Sequence, residues 1–288
     1  MTHGSLSALR SLAHQHLSPD VAETWLGLLR PGVRLEVAAG PDDVTGRLGG
    51  LPALPATAEW PVWEGNGPLS FVASIDCAGL PTASLDIDLP KAGTLLFFYF
   101  DGQLDDGEAL VLAEDRTSWA GARVLYVPAD ETAEERELPA GLRPYPVVPL
   151  TARTEMTAAE PWHPQIRETF APGAPLGQRY GHPVCSEDFL DALWQFDDEV
   201  GHQIGGHAHS VQDPVEIEVA EAVLDGKMPW SDPRLSDEAG RWLLLAQFAS
   251  EDAADMMWGD VGALYWLIRP QDLAERRFER AMFTWQCG

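Results

Sequence analysis

The chain has 288 residues, 45% of them hydrophobic and 22% charged, which suits one large or two smaller folded domains and is too apolar for a chain that stays disordered. Nineteen basic against 45 acidic side chains leave a formal charge of −26, a field that repels phosphate backbones and anionic headgroups and so argues against nucleic acid and membrane surfaces as partners. There is no apolar secretion core near the start and no run of the roughly 20 apolar residues a membrane span needs, and Cys77, Cys185 and Cys287 stand far apart in an odd number; the expected compartment is the reducing cytoplasm.

Leu6, Leu9, Leu12, Ala13 and Leu17 recur at three- and four-residue steps, and the pattern resumes with Val21, Trp25, Leu28 and Leu29. Two short amphipathic helices are predicted, the second ended by Arg30-Pro31-Gly32. Short β-branched or aromatic runs then predict strands at Val33 to Val37, Leu69 to Ile75, Leu95 to Phe100, Leu110 to Ala113 and Arg123 to Val127. Seven prolines between Ala140 and Gly181 predict a connection without long helices or central strands. A helix follows with Ser186 as N-cap and Phe189, Leu190, Leu193 and Trp194 as its buried stripe. Another has Asp213 as cap, Pro214 at its first position, Val215, Val219, Ala222 and Val223 inward and Gly226 at its end. Strands return at Trp242 to Phe248, Ala263 to Ile268 and Ala281 to Trp285, with a short helix from Pro270 to Phe278. Acidic clusters at Asp105–Glu108, Asp130–Glu137 and Asp197–Glu199 read as solvated faces and turns.

Three signals recur in order. Leu48-Gly49-Gly50 precedes the strand Leu69 to Asp76 and the glycine-led strand from Gly93; Ile204-Gly205-Gly206 precedes Leu243 to Ser250 and the strand from Gly262. The expected fold is α+β, mostly antiparallel sheet in two pseudo-repeated halves with peripheral helices. A helical segment over residues 1–40 would precede a domain over 41–288, with halves at about 41–150 and 181–288.

Gly49-Gly50-Leu51-Pro52, Phe71 to Asp76, Gly93 to Phe98, His202-Gln203-Ile204-Gly205-Gly206, Gln212-Asp213, Met257-Trp258-Gly259-Asp260 and the closing Trp285-Gln286-Cys287, in that order, resemble the YwqG-like family of bacterial proteins, a domain of unknown function. The resemblance runs from about residue 47 to the end. It implies an α+β fold with two related sheet halves and no established activity; relatives near secreted-toxin loci imply a toxin-neutralising or other protein-binding role. At His207-Ala208 the chain departs from the family pattern, which has an aromatic residue and a proline.

The sharpest local feature is His202-Gln203-Ile204-Gly205-Gly206-His207-Ala208-His209. Imidazole is the commonest ligand for zinc and its neighbours, and His-x-His on an extended chain aims two rings to one side, so His202, His207 and His209 form a candidate divalent-metal site. The competing reading makes His202 a backbone partner and gives Gly205 and Gly206 a turn of positive φ. Trp258 and Asp260, in a loop between two strands, could form an aromatic wall and a polar group for a small ligand, with Gln203 and Gln212 nearby in the pattern. If the halves pack about a twofold axis, Asp76 would face Asp260 as a paired carboxylate. Glu59-Trp60-Pro61-Val62-Trp63 and Glu160-Pro161-Trp162-His163-Pro164 place aromatics in proline-rich loops of the kind that bind. No phosphate loop, dinucleotide fingerprint, serine nucleophile elbow or His-Glu-x-x-His run is present. The leading expectation is a cytoplasmic binding protein that docks or neutralises a basic protein partner. The alternative is a metal-dependent or small-molecule enzyme at the His-rich turn and the Trp-Gly-Asp loop.

Overall fold

A computed structural model describes residues 5–40, 44–174, 181–196, 200–224, 226 and 228–288; the acidic run Asp197–Glu199 lies outside them. In chain order the elements are α1 (Leu6–His16), α2 (Pro19–Leu26), β1 (Arg30–Val37), β2 (Gly46–Leu48), β3 (Ala53–Pro55), β4 (Val62–Trp63), β5 (Gly67–Pro68), β6 (Ser70–Asp76), β7 (Thr94–Tyr99), β8 (Ala122–Val127), β9 (Ala133–Glu135) and β10 (Val148–Thr157). They continue with α3 (Pro164–Phe170), α4 (Glu187–Phe196), β11 (His202–Gly205), α5 (Val215–Val223), α6 (Pro233–Ala239), β12 (Leu243–Ala249), β13 (Ala263–Ile268), α7 (Pro270–Ala274) and β14 (Met282–Gln286). The fold is α+β and its main sheet is antiparallel throughout, with ten strands in the order β14-β13-β12-β11-β1-β10-β2-β6-β7-β8.

Two four-stranded wings flank the central pair β1–β10, and their ladders correspond. Leu48 pairs with Ala73 in one wing and Ile204 with Ala246 in the other. The second strand of each wing carries a register shift at the same place, between Phe71 and Ala73 and between Leu244 and Ala246. Both Gly-Gly turns are left-handed, with φ of 64° and 75° at Gly49 and Gly50 and of 65° and 72° at Gly205 and Gly206. Only glycine takes such a pair without strain, and a Cβ on Gly49 would lie 2.2 Å from the Pro146 carbonyl oxygen. A side chain on the strand clamps each turn four residues on: Arg47 donates to the Leu51 carbonyl and Gln203 to the His207 carbonyl. β1 precedes β2 in the chain but pairs with β11, while β10 precedes β11 but pairs with β2, so each central strand serves the other wing. β1 therefore lies inside the sheet, although it falls before residue 40.

The wings pack face to face. The Phe97 ring of β7 meets Phe248 at 5.0 Å and Trp266 at 5.2 Å, and Tyr99 stacks on Phe283 at 5.0 Å. β13 is buried along its whole length because Leu264, Trp266 and Ile268 face this core while Ala263, Tyr265 and Leu267 face α5; a strand covered on both faces reads as a continuous apolar run. A second core joins α1, α2 and α4, with Trp25 edge-on to Phe189 at 5.2 Å.

Several expectations need correction. The second helix ends at Gly27, whose N–H bonds the Glu23 carbonyl, so Arg30-Pro31-Gly32 opens β1. Leu110–Ala113 is no strand: the Leu112 N–H and carbonyl are both taken by the Ser118 hydroxyl. The proline-rich stretch holds β10, the central strand, because its prolines fall at or outside the strand ends, with Pro149 beyond the last β1–β10 rung and still accepting the Ala38 N–H through its carbonyl. Trp194 is 46% exposed instead of buried. Pro214, not Asp213, occupies the cap of α5.

Phe97 fills the seam between the wings, so Phe97→Ala should cost ~3–5 kcal/mol in urea unfolding; a cost within 1 kcal/mol, on the order of a surface substitution, would mean that the seam does not hold the wings together.

Candidate functional site

The His-rich turn does not assemble a metal centre. His202 on β11 is buried, its Nδ1 accepts the Ala249 N–H (3.1 Å), its Nε2 lies 3.7 Å from Glu251, and burial pushes the ring down to about 4. Burial, with His163 beside it, pushes His207 down to about 3, and its Nε2 donates to the Leu28 carbonyl at 2.9 Å. His209 gives its N–H to Gln247 and its carbonyl to the Tyr265 hydroxyl. Among the described residues no three His, Cys, Asp or Glu side chains gather as a metal would require. Successive strand and turn geometry disperses these rings, because the two left-handed glycines reverse the chain between His202 and His207.

The other sequence candidates mostly serve the fold. Gln203 donates to the Gly205 and His207 carbonyls at 2.7 and 2.8 Å. Gly205 and Gly206 press on Ile87 and Thr157, where a Cβ would come within 2.9 and 2.6 Å. Gln212 ties the α5 approach to β14 through the Cys287 carbonyl. Trp258 is buried edge-on to Tyr99 and Tyr145, at 5.8 and 6.0 Å. Asp260 is exposed and its carbonyl accepts the Gly288 N–H. Asp76 is exposed and caps the turn at Ala78. Of the two carboxylates, that of Asp76 serves its own turn.

What the structure does gather is a set of half-buried and buried ionisable groups at the N-terminal end of α5. Glu216 is buried; burial alone would raise its carboxyl, but His163, 3.7 Å away, outweighs that and holds it below the usual carboxylate range. The His163 ring uses its Nδ1 to accept the Gln165 N–H and lies 5.2 Å from the His207 ring. Burial pushes Glu160 up to about 8 against the opposing hydrogen bond from the Trp162 indole (3.0 Å), and Glu216 and Asp213 add repulsion. Burial likewise pushes Glu218 up to about 7 although Thr284 and Gln286 donate to it at 2.6 and 2.8 Å. Shifted groups gathered beside a cavity mark a candidate site.

Of this set, Glu160 and His207 line a cleft of about 80 Å³ between Leu9 of α1, Trp194 of α4, the Met156–Pro161 stretch that ends β10, and the His207–His209 turn, with Glu155 on its wall as well. The arrangement offers charge and an apolar wall; away from it, burial pushes the Cys77 thiol up to about 12, and the Ser118 hydroxyl is fully buried in its own turn. Sequence reading singled out Glu160, Trp162 and His163 as a proline-rich aromatic loop. It missed Glu216 and Glu218, which sit on a helix covered nearly all round, and Glu155, whose burial no local pattern announces.

Glu160 also sets a pH dependence. A carboxyl that titrates near 8 when folded and at its ordinary value when unfolded binds more protons in the native state between those limits, so its contribution to stability falls as pH rises through that interval. Glu160→Gln should therefore raise the melting midpoint relative to the parent chain at about pH 8.5 and leave it nearly unchanged at about pH 4; an equal effect at both would contradict the assignment.

A family model for a domain of unknown function, DUF1963, matches residues 46–287. β1 and the two N-terminal helices precede the match. No curated protein matches the chain. Because the match runs through both wings and nearly to the last residue, the chain belongs to the DUF1963 family.

Proposed function

We propose that the protein is a YwqG-like binding protein of the cytoplasm, without catalytic activity, that docks or neutralises a basic protein partner. The observation that carries this reading is the cleft lined by Glu155 and Glu160, where Glu160 is held largely protonated at neutral pH by burial and by its acidic neighbours. Such a carboxyl is a ready receiver of positive charge, because an entering cation relieves both causes. The overall charge of −26 supports the same reading at long range, since it draws in basic proteins and repels acidic ones. The catalytic alternative at the His-rich turn is the weaker, because His202 and His207 are committed to backbone partners in the interior.

The reading is tested by immobilising the chain, capturing partners at low salt and measuring the rate of the reconstituted complex. A basic partner is expected, with an association rate that falls about tenfold between roughly 20 and 200 mM salt. Capture of acidic partners alone, or a rate indifferent to salt, would overturn it.

A further inference from the structure

We infer that the cleft framed by Leu9, Met156, Trp194 and Glu160 is a binding site for a primary alkylammonium, the side chain of a lysine on the basic partner. The inference rests on the binding-protein reading and assigns it a place. Its volume of about 80 Å³ is several times the 10–15 Å³ that a single water needs by this kind of measure, enough for a slender chain and too little for a folded segment. Leu9, Met156 and Trp194 give an aliphatic stem apolar surface on two sides, and the half-exposed Trp194 ring at the rim is the kind of aromatic surface that a passing cation favours.

The polar end selects the charge. Among the described residues the Trp162 indole is the one side-chain donor to the Glu160 carboxyl, and it takes a single oxygen, Oε2. The other oxygen is left for a donor entering from the cleft. A guanidinium gains its advantage over an ammonium by donating in parallel to both oxygens of a carboxylate, and here the indole already occupies one of them. A compact ammonium needs only the second. Glu216 and Asp213 add negative potential at Glu160, Glu155 lines the same cleft and pairs with Arg153, and His207, held neutral by burial, does not oppose a cation.

The test uses the full chain and two neutral-backbone probes, N-acetyl-lysine methylamide and its arginine counterpart, titrated calorimetrically and by tryptophan fluorescence at low salt. The expected result is saturable millimolar binding of the lysine probe, at least about tenfold tighter than the arginine probe, weakened about tenfold by Glu160→Gln and several-fold by Trp194→Ala. Trp194 lies at the rim, so its variant keeps the test valid should Glu160→Gln disturb folding, which circular dichroism would reveal. No saturable binding of the lysine probe, a preference for arginine, or an affinity unchanged in Trp194→Ala would overturn the assignment. Poly-L-lysine in parallel separates the two levels. If it binds the parent chain and Glu160→Gln equally and loses both to salt, the basic-partner reading stands and this site falls; if it binds neither, both fall.

Discussion

The eight-rung ladder between β1 and β10, from Arg30 opposite Thr157 to Val37 opposite Leu150, is the interaction on which the rest of the structure depends. Among the described residues it is the pairing that joins the two wings into one sheet, and each of its strands is borrowed from the segment that precedes the opposite wing. Its first rung also fixes the candidate site. The Thr157 hydroxyl donates to the Arg30 carbonyl and accepts the His207 N–H, both at 2.8 Å, so the end of β10 and the Gly205-Gly206 turn are held together at one point. The chain leaving that point carries Glu160, Trp162 and His163, and it meets α5 where His163 lies 3.7 Å from Glu216.

The ionisable groups collected there run against the economy of an interior. Burying a carboxylate is costly unless it is paired and hydrogen-bonded, and Glu216, Glu218 and Glu160 meet that demand unequally. Glu216 has His163, and Glu218 has Thr284 and Gln286. Glu160 has one indole N–H and two acidic neighbours, and of these three acids it is the one that lines the cleft. Stability and function pull apart at this residue, as sites commonly make them do. The imidazoles show the opposite balance: His202 and His207 lie deep, neutral and bonded to backbone, which makes them parts of the frame.

The strands were largely legible because alternation and aromatic runs report burial directly. β13 matches its expected residues from Ala263 to Ile268, and the Gly-Gly turns announced themselves because no other residue pair takes that conformation cheaply. β10 was hidden by composition: counting prolines over residues 140–181 masks a ten-residue strand that holds one proline, Pro149, at its second position. The exchange of β1 and β10 was hidden for a different reason, since strand pairing between segments more than a hundred residues apart leaves no local mark. Within the site, the Glu160-Pro161-Trp162-His163 loop could be picked out by its aromatics, but Glu160 is shifted by burial first and then by Glu216 and Asp213, which lie at and just before the start of α5 and more than fifty residues away in sequence. The histidine cluster misled because proximity in sequence is undone by a turn whose glycines are themselves the visible motif.

The most direct test of the account is whether cation binding expels a proton. Titrating the lysine probe into the full chain near neutral pH in two buffers of different ionisation enthalpy reads the protons exchanged. Glu160 should lose its proton as the ammonium arrives, whereas Glu216 is already ionised beside His163 and His207 is already neutral. The account predicts release of a substantial fraction of one proton in the parent chain and none in Glu160→Gln. Equal apparent enthalpies in the two buffers for the parent chain would contradict it.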